Sequence, residues 1–483
     1  MSAHPTESKY RTIEFAGRLL AVPKKESARP CGRQLLCIMD FILKGYAVNH
    51  ATWFYLSLLL VLAVFFRFSR LWSLRNIDLV LLLSVSPGLL LLEHDVSLGY
   101  VWLFVSTGLV LLRLLLDPWF RRRPLLEQNL NPAGLTFLCV AAYAFQVANV
   151  ITETPTESTI AAVRQAQELV NRTDTTQAAP DPDAEPSIAV DPMPIVEADA
   201  GPTIRLLATP TVLAKNYQIA AWILAGLSHL AVVLGLALLG YRHLGDLRLG
   251  IAMATMYLLL PCTAYQVGQI SHVLPAALVI WSLTYYHRPM VAGCCMGLAC
   301  GTVFFPVFLL PLWMVFYGRN GAVRFCLALG GVAAVLVGSF ALTSHNFQSF
   351  LAQTMGSMNW RLFQFQSGYG VGFWANIDQV YRLPVVTAFV VMVIVLAVFP
   401  RQKNIEHLMS HSAAIVVATQ LWYPQHGGIY VLWYLPMLLA VVFRPRLAHL
   451  IPPESAPLLK LARQSTEAPG DGSFTPAPHQ QLR

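Results

Sequence analysis

The sequence predicts an all-α, polytopic membrane protein of about 11–12 helical elements, with a re-entrant broken helix pair near 290–317. Three observations predict it. Of 483 residues, 56% are hydrophobic and only 12% charged, against roughly 25% charged in soluble domains. Apolar runs recur at close to the ~20 residues that cross a bilayer. The basic residues behind the net charge of +8 fall in short clusters between those runs, as membrane loops place them, so the charge does not argue for nucleic acid. Eight cysteines are present. None shows paired metal spacing, and most lie in or beside apolar runs, where a thiol packs as a small hydrophobe.

In chain order, 1–48 is a basic, polar tail. Its Lys24, Lys25, Arg29 and Arg33 suit an anionic lipid surface. The stretch 35–48 is apolar but holds Asp40 and Lys44, which predicts an interfacial helix rather than a span. No early apolar core marks a cleavable signal peptide. The first membrane part, 49–150, carries spans at 52–66, 77–92, 98–116 and 133–150. Arginines cluster at 67–75 and 121–123, whereas the turn between the second and third spans reads Glu93-His94-Asp95. Counting basic residues places both arginine clusters in the cytoplasm and the acidic turn outside. The tail then falls outside against its own charge, but short loops outweigh tails in this rule.

Residues 151–210 hold ten acidic residues and three arginines in a Thr-, Ala- and Pro-rich setting. The stretch 178–202 could bury no core, so 151–210 reads as a linker, with a short helix over 158–171. The second membrane part, 211–446, predicts spans at 219–239, 249–264, 273–286, 323–342, 385–399, 408–421 and 431–443, with a broken element at 290–317. Pro306 leaves that element two arms of ~14 residues, each too short to cross. If it enters and returns to one side, all later basic loops fall in the cytoplasm. Four polar segments then share the outer face: 93–95, 265–272, 344–384 and 423–428. The tail 447–483 is Pro-rich and polar.

The turn 265–272 carries Gln266, Gln269 and His272 between two apolar runs. Polar groups at such a place are costly unless they meet water, protein or a ligand. Gly268-Gln269, Arg288, Ala292-Gly293, Gly297 and Pro306 follow in that order. The pattern resembles the integral-membrane sugar transferases of the GT-C type, in particular the alpha-mannosyltransferase-like families that use a polyprenol-phosphate sugar, over about 217–446. The Lys usual before the Pro is absent, with 302–305 in its place. The resemblance implies transfer of a sugar, mannose-like, from a polyprenol-phosphate donor to an acceptor on the extracytoplasmic face of the cell membrane.

Under that resemblance, Glu93 and Asp95 are the candidate catalytic carboxylates, since the acceptor hydroxyl must lose a proton. In the families resembled the acidic residue follows the first helix; here it follows the second. The same residues suit a solvated turn. A carboxylate pair also leaves a divalent metal open as an option, and no other cofactor is indicated. Candidate substrate-binding residues are Gln266, Gln269, His272, Trp360, Arg361 and His426. Gln and His donate hydrogen bonds to phosphate or sugar hydroxyls, or they cap helix ends. Trp360 and Arg361 lie in an aromatic loop with Phe363, Phe365, Tyr369, Phe373 and Trp374; such rings stack on sugars or anchor at the interface, and Arg pairs with phosphate. The expected partners are membrane lipid and a polyprenol-phosphate sugar. Gly293, Gly297 and Gly301 are spaced for close helix contact, and Arg113 and Asp117 for an i,i+4 pair. Two other classes fit the composition: a transporter or flippase for a lipid-linked substrate, which would show two similar halves, and a non-catalytic membrane protein derived from the transferase fold.

Overall fold

The computed structural model describes residues 10–15, 18–23, 50–119, 128–172, 201–214, 216–265, 267–356, 365, 372–375, 377–445, 447 and 449–453. It divides into a unit of 1–48 and a unit of 49–483. In the first, Tyr10–Phe15 (β1) and Arg18–Pro23 (β2) pair antiparallel, with Phe15 opposite Arg18. Alternating residues of Thr-Ile-Glu-Phe type favour a strand, where the sequence reading expected only a tail. The stretch 35–48 lies outside the described residues.

The second unit is helical. Its elements are α1 (His50–Phe65), α2 (Leu74–Leu91), α3 (Val96–Leu115), α4 (Pro132–Thr152), α5 (Glu157–Asn171), α6 (Pro202–Ala208), α7 (Tyr217–His243), α8 (Leu247–Leu259), α9 (Pro261–Tyr265), α10 (Ile270–Thr284), α11 (Pro289–Cys300), α12 (Leu310–Thr343), α13 (Phe347–Gly356), α14 (Arg382–Val398), α15 (Ile405–Trp422) and α16 (Leu435–Phe443). Among the described residues, six helical stretches are long and apolar enough to cross a membrane. The starts are chemically marked. Ser73, Asp95, Asn131, Asn216 and Asp246 each accept a hydrogen bond from a backbone N–H of the following turn, satisfying donors the helix itself cannot.

At the centre stand α8 and α15, buried along nearly their whole length. Tyr257, Leu258, Ile415 and Val416 are all fully buried. At 13 residues, α8 is about 20 Å long, shorter than a bilayer is thick. Its neighbours α4, α7 and α16 enclose it instead. The apolar run predicted as one span over 249–264 divides at Pro261, where α9 begins, because proline has no N–H to continue the ladder.

The bundle has two chemically distinct ends. One is rich in charge. Arg113 Nε donates to Asp78 Oδ1 at 2.6 Å and its Nη1 to Asp117 Oδ1 at 3.2 Å, while Arg444 Nη2 donates to Asp117 Oδ2 at 2.5 Å. Glu406 completes the group, 3.5 Å from Arg444 Nη1. Arg75 donates from the same end to the Phe65 carbonyl at 2.6 Å. The predicted Arg113–Asp117 pair is therefore present, but buried rather than at a wet surface: Asp117 is 2% exposed. The other end is rich in aromatic rings.

The broken element behaves as a re-entrant pair. It starts at the charged end, where α11 follows Arg288. After 12 residues it turns at Gly301–Thr302, then descends through a 3-10 turn at Phe305–Leu309 and the first turns of α12. The Tyr317 hydroxyl donates to the Tyr286 carbonyl at 2.8 Å, back where the pair began. At Gly318 the chain takes φ 61° and ψ −175°, a region that essentially only glycine occupies. From Arg319 the helix runs parallel to α11. A Cβ on Gly293 would lie 2.4 Å from the Phe325 carbonyl oxygen, and one on Gly297 3.1 Å from Val332. The glycine spacing thus serves close helix contact. Gly318→Ala is expected to destabilise the fold by about 1–3 kcal/mol, read as a lowered melting temperature in detergent with no new cavity to explain it.

Among the described residues no disulfide forms, and Cys139 and Cys262 are buried.

Candidate functional site

The aromatic end gathers the polar segments. Asp95 caps α3, its carboxylate accepting from Leu98 N at 3.1 Å, and one turn later Tyr100 points into the bundle, 5% exposed. Its hydroxyl shares a 2.5 Å hydrogen bond with Nδ1 of His426. His426 adopts φ 52°, a left-handed backbone that is uncommon outside glycine. That turn aims the ring inward from the segment joining α15 to α16. Burial lowers the His426 pKa from its ordinary value, so the ring is neutral at pH 7 and engages Tyr100 through an uncharged nitrogen.

The same segment is fastened by stacking. Tyr430 stacks on Trp433 at 4.2 Å, Phe304 on Tyr423 at 4.9 Å, and Phe305 lies 4.8 Å from Trp433. Phe304 and Phe305 follow the tip of the re-entrant pair, so that tip is built into the aromatic cluster. Trp433 Nε1 donates to the Ser271 carbonyl at 3.0 Å. This tie brings the start of α10 to the cluster. His272 lies there with its ring 4.8 Å from Tyr430. It is 5% exposed, and its Nδ1 has no hydrogen-bond partner among the described residues. An unsatisfied buried polar atom of this kind is expensive. His426 is near enough to His272 to act on it electrostatically.

The turn before α10 is fixed from two sides. His229 Nε2 meets the Val267 carbonyl at 3.1 Å, and Thr159 Oγ1 on α5 donates to the Gly268 carbonyl at 3.2 Å. Tyr265 closes the circuit. Burial, and then the negative charge of Glu93, raise its phenol above the ordinary value. Tyr265 in turn acts on Tyr100. The direct contact among these groups is Tyr100 with His426, while Glu93 and Tyr265 act on it through their charge. Tyr265 also lines a pocket of about 20 Å³ with Trp53, Ser86 and Cys262, room for about one water and not a sugar ring.

Of the residues the sequence singled out, His272 and His426 both belong to the aromatic end, His272 beside Tyr430 and His426 on Tyr100, and Glu93 acts there through its charge on Tyr265. Asp95 stands two residues from Glu93 but is exposed and occupied as a cap. Gln269 takes the N-cap position of α10, half-buried, without a side-chain cap bond. Gln266, Trp360 and Arg361 lie outside the described residues. From the aromatic loop, Phe373 stacks on Phe104 at 3.9 Å, and Trp374 donates to the Leu421 carbonyl at 3.1 Å. Both rings are spent on packing. Among the described residues no three His, Cys, Asp or Glu side chains converge to hold a metal.

Sequence reasoning passed over Tyr100, Tyr265 and Arg382. Arg382 is fully buried, donating from Nε to the Trp422 carbonyl at 3.1 Å and from Nη1 to Gln379 Oε1 at 2.8 Å, with Phe365 5.1 Å from its guanidinium. An arginine just before an apolar run, at the end where loops carry few basic residues, was the available signal.

No curated protein and no solved structure matches the chain. Residues 201–424, somewhat under half of the chain and spanning α6 to α15, match the family model of glycosyltransferase family 87. With the transmembrane helices, that match supports a multi-pass membrane glycosyltransferase.

Proposed function

We propose that the protein transfers a sugar from a polyprenol-phosphate donor to an acceptor hydroxyl at the extracytoplasmic face of the cell membrane. The observation that carries this reading is the meeting of an acidic turn from the first membrane part with the 265–272 turn of the second, at one end of the bundle. Glu93 is the base. Its carboxylate takes the proton of the acceptor hydroxyl as that oxygen bonds to the anomeric carbon. The bond from that carbon to the phosphate oxygen breaks, and polyprenyl phosphate leaves with the electron pair. Asp95, engaged at the start of α3, positions the turn rather than taking the proton. The growing charge on the phosphate calls for N–H donors, the role of Gln269 and Arg361. Gln266, Trp360, His272 and His426 complete the sugar subsite, with Tyr100 orienting His426 through their shared hydrogen bond.

The test uses the full chain reconstituted in lipid, offered radiolabelled polyprenyl-phosphate sugars and a lipid extract as acceptor. Labelled product together with released polyprenyl phosphate is the expected result. Transfer from nucleotide sugars alone would overturn the donor class.

A further inference from the structure

A lane runs between α11 and α12 on the side that faces away from the core. Met290 and Leu298 from α11, Val332, Val335 and Leu336 from α12, and Leu206 from α6 line it, with about 450 Å³ of open space. Among the described residues, no charged or hydroxyl side chain contributes. Packed helices normally fill the gap between them, and these two do so one face away, at Gly293 and Gly297. Along the lane they do not. Gly331 belongs to its wall, and a Cβ added there would meet nothing within 4 Å.

A cation stands at the lane's end. Arg205, the neighbour of Leu206, is 7% exposed. Its guanidinium carbon lies 5.4 Å from the Phe340 ring, and its Nη2 donates to Thr343 Oγ1 at 3.1 Å. Phe340 follows Leu336 by one helical turn, so the guanidinium sits just beyond the last lining residue, at the aromatic end. Its Nε has no hydrogen-bond partner among the described residues. Glu168 on α5 acts on it only by longer-range charge, and no carboxylate among the described residues forms a salt bridge with it. A buried guanidinium held by one hydroxyl and one ring is costly unless an anion joins it, and its planar fork matches a phosphate. The tip of the re-entrant pair links the two regions. Thr203 N donates to the Gly301 carbonyl at 3.0 Å, while Phe304, three residues on, stacks in the aromatic cluster.

We propose that this lane seats the hydrocarbon tail of a lipid monophosphate and that Arg205 receives its phosphate. The occupant is a polyprenyl phosphate, the lipid that the reaction proposed above releases as product after transfer. The inference rests on that reading for the identity of the lipid, and on the lane and Arg205 for its place. A channel lined by apolar side chains among the described residues matches a hydrocarbon tail, and one buried cation matches one phosphate.

The experiment measures displacement of a fluorescent undecaprenyl phosphate from the full chain in nanodiscs. Undecaprenyl phosphate, undecaprenol and phosphatidylglycerol serve as competitors. Arg205→Gln is expected to weaken undecaprenyl phosphate by about 10-fold or more, the loss of a charge-assisted hydrogen bond, and to leave undecaprenol unchanged; Arg205→Lys recovers part of the loss. Gly331→Leu, which fills the lane without touching the core, is expected to weaken both. Wild-type binding in Arg205→Gln and Gly331→Leu overturns the proposal, as does equal displacement by phosphatidylglycerol, which would mean an ordinary membrane lipid. Should the protein bind undecaprenyl phosphate as described yet transfer no sugar, the enzymatic reading fails and the lane stands. Should sugar transfer proceed with unaltered binding and KM in both variants, the lane fails and the enzymatic reading stands.

Discussion

Replacing Glu93 by Gln is expected to lower sugar transfer by about 10²–10⁴-fold, the usual contribution of a general base, with an unchanged melting temperature. Glutamine keeps the shape and hydrogen bonding of the side chain but takes no proton at neutral pH. Glu93 is exposed in its turn, so no core packing is lost, and its carboxylate is the charge that reaches Tyr265. The control is two residues away. Asn is as good an N-cap as Asp, so Asp95→Asn should retain both transfer and stability, whereas Asp95→Ala should cost about 1 kcal/mol of stability through the lost cap. Initial rates with a polyprenyl-phosphate sugar, beside thermal unfolding of each variant, separate the two carboxylates. A dead Asp95→Asn and an active Glu93→Gln would exchange their roles; full activity in both would place the base elsewhere.

Asp117→Ala is expected to produce the largest loss of stability, about 3–5 kcal/mol, as when one partner of a buried ion pair is removed. Asp117 receives both Arg113 and Arg444 and is 2% exposed. Without it, the two guanidinium groups face Asp78 and Glu406 among the described residues. Thermal unfolding in detergent reads the loss directly. Asp117→Ala combined with Arg444→Met should cost less than the sum of the single changes, since contacting residues couple. A strictly additive pair would mean that the 2.5 Å contact carries no net interaction.

Much of the fold was legible because membrane insertion writes itself into local composition. The spans and the re-entrant element could be read from apolar length, Pro306 and the sides on which Arg288, Arg401 and Arg444 had to fall. The run 249–264 reads as one span, and the structure divides it at Pro261, whose missing N–H ends the ladder. The strands β1 and β2 were not legible, since six-residue segments between polar neighbours carry little periodic signal. At the site, Glu93, His272 and His426 were legible as polar groups stranded at helix ends. What joins them was not. Tyr100 and His426 are 326 residues apart, and a tyrosine in an apolar run looks the same whether it faces lipid or a histidine. Similarly, Arg113 and Asp117 could be paired from their spacing, but Asp78 and Arg444 lie 35 and 327 residues from their partners. Asp95 shows the opposite limit: a carboxylate before a helix reads alike as an acid and as a cap, and only coordinates reveal which oxygen is engaged.

The distance along the chain between Asp117 and Arg444 also sets a schedule for biogenesis. They are separated by 327 residues, which a ribosome making ~5–20 residues per second traverses in roughly 15–65 s. For that interval the nascent N-terminal helices hold an acidic group whose second counterion has yet to be synthesised. The Arg444–Asp117 contact therefore closes this end of the bundle only once α16 has been made.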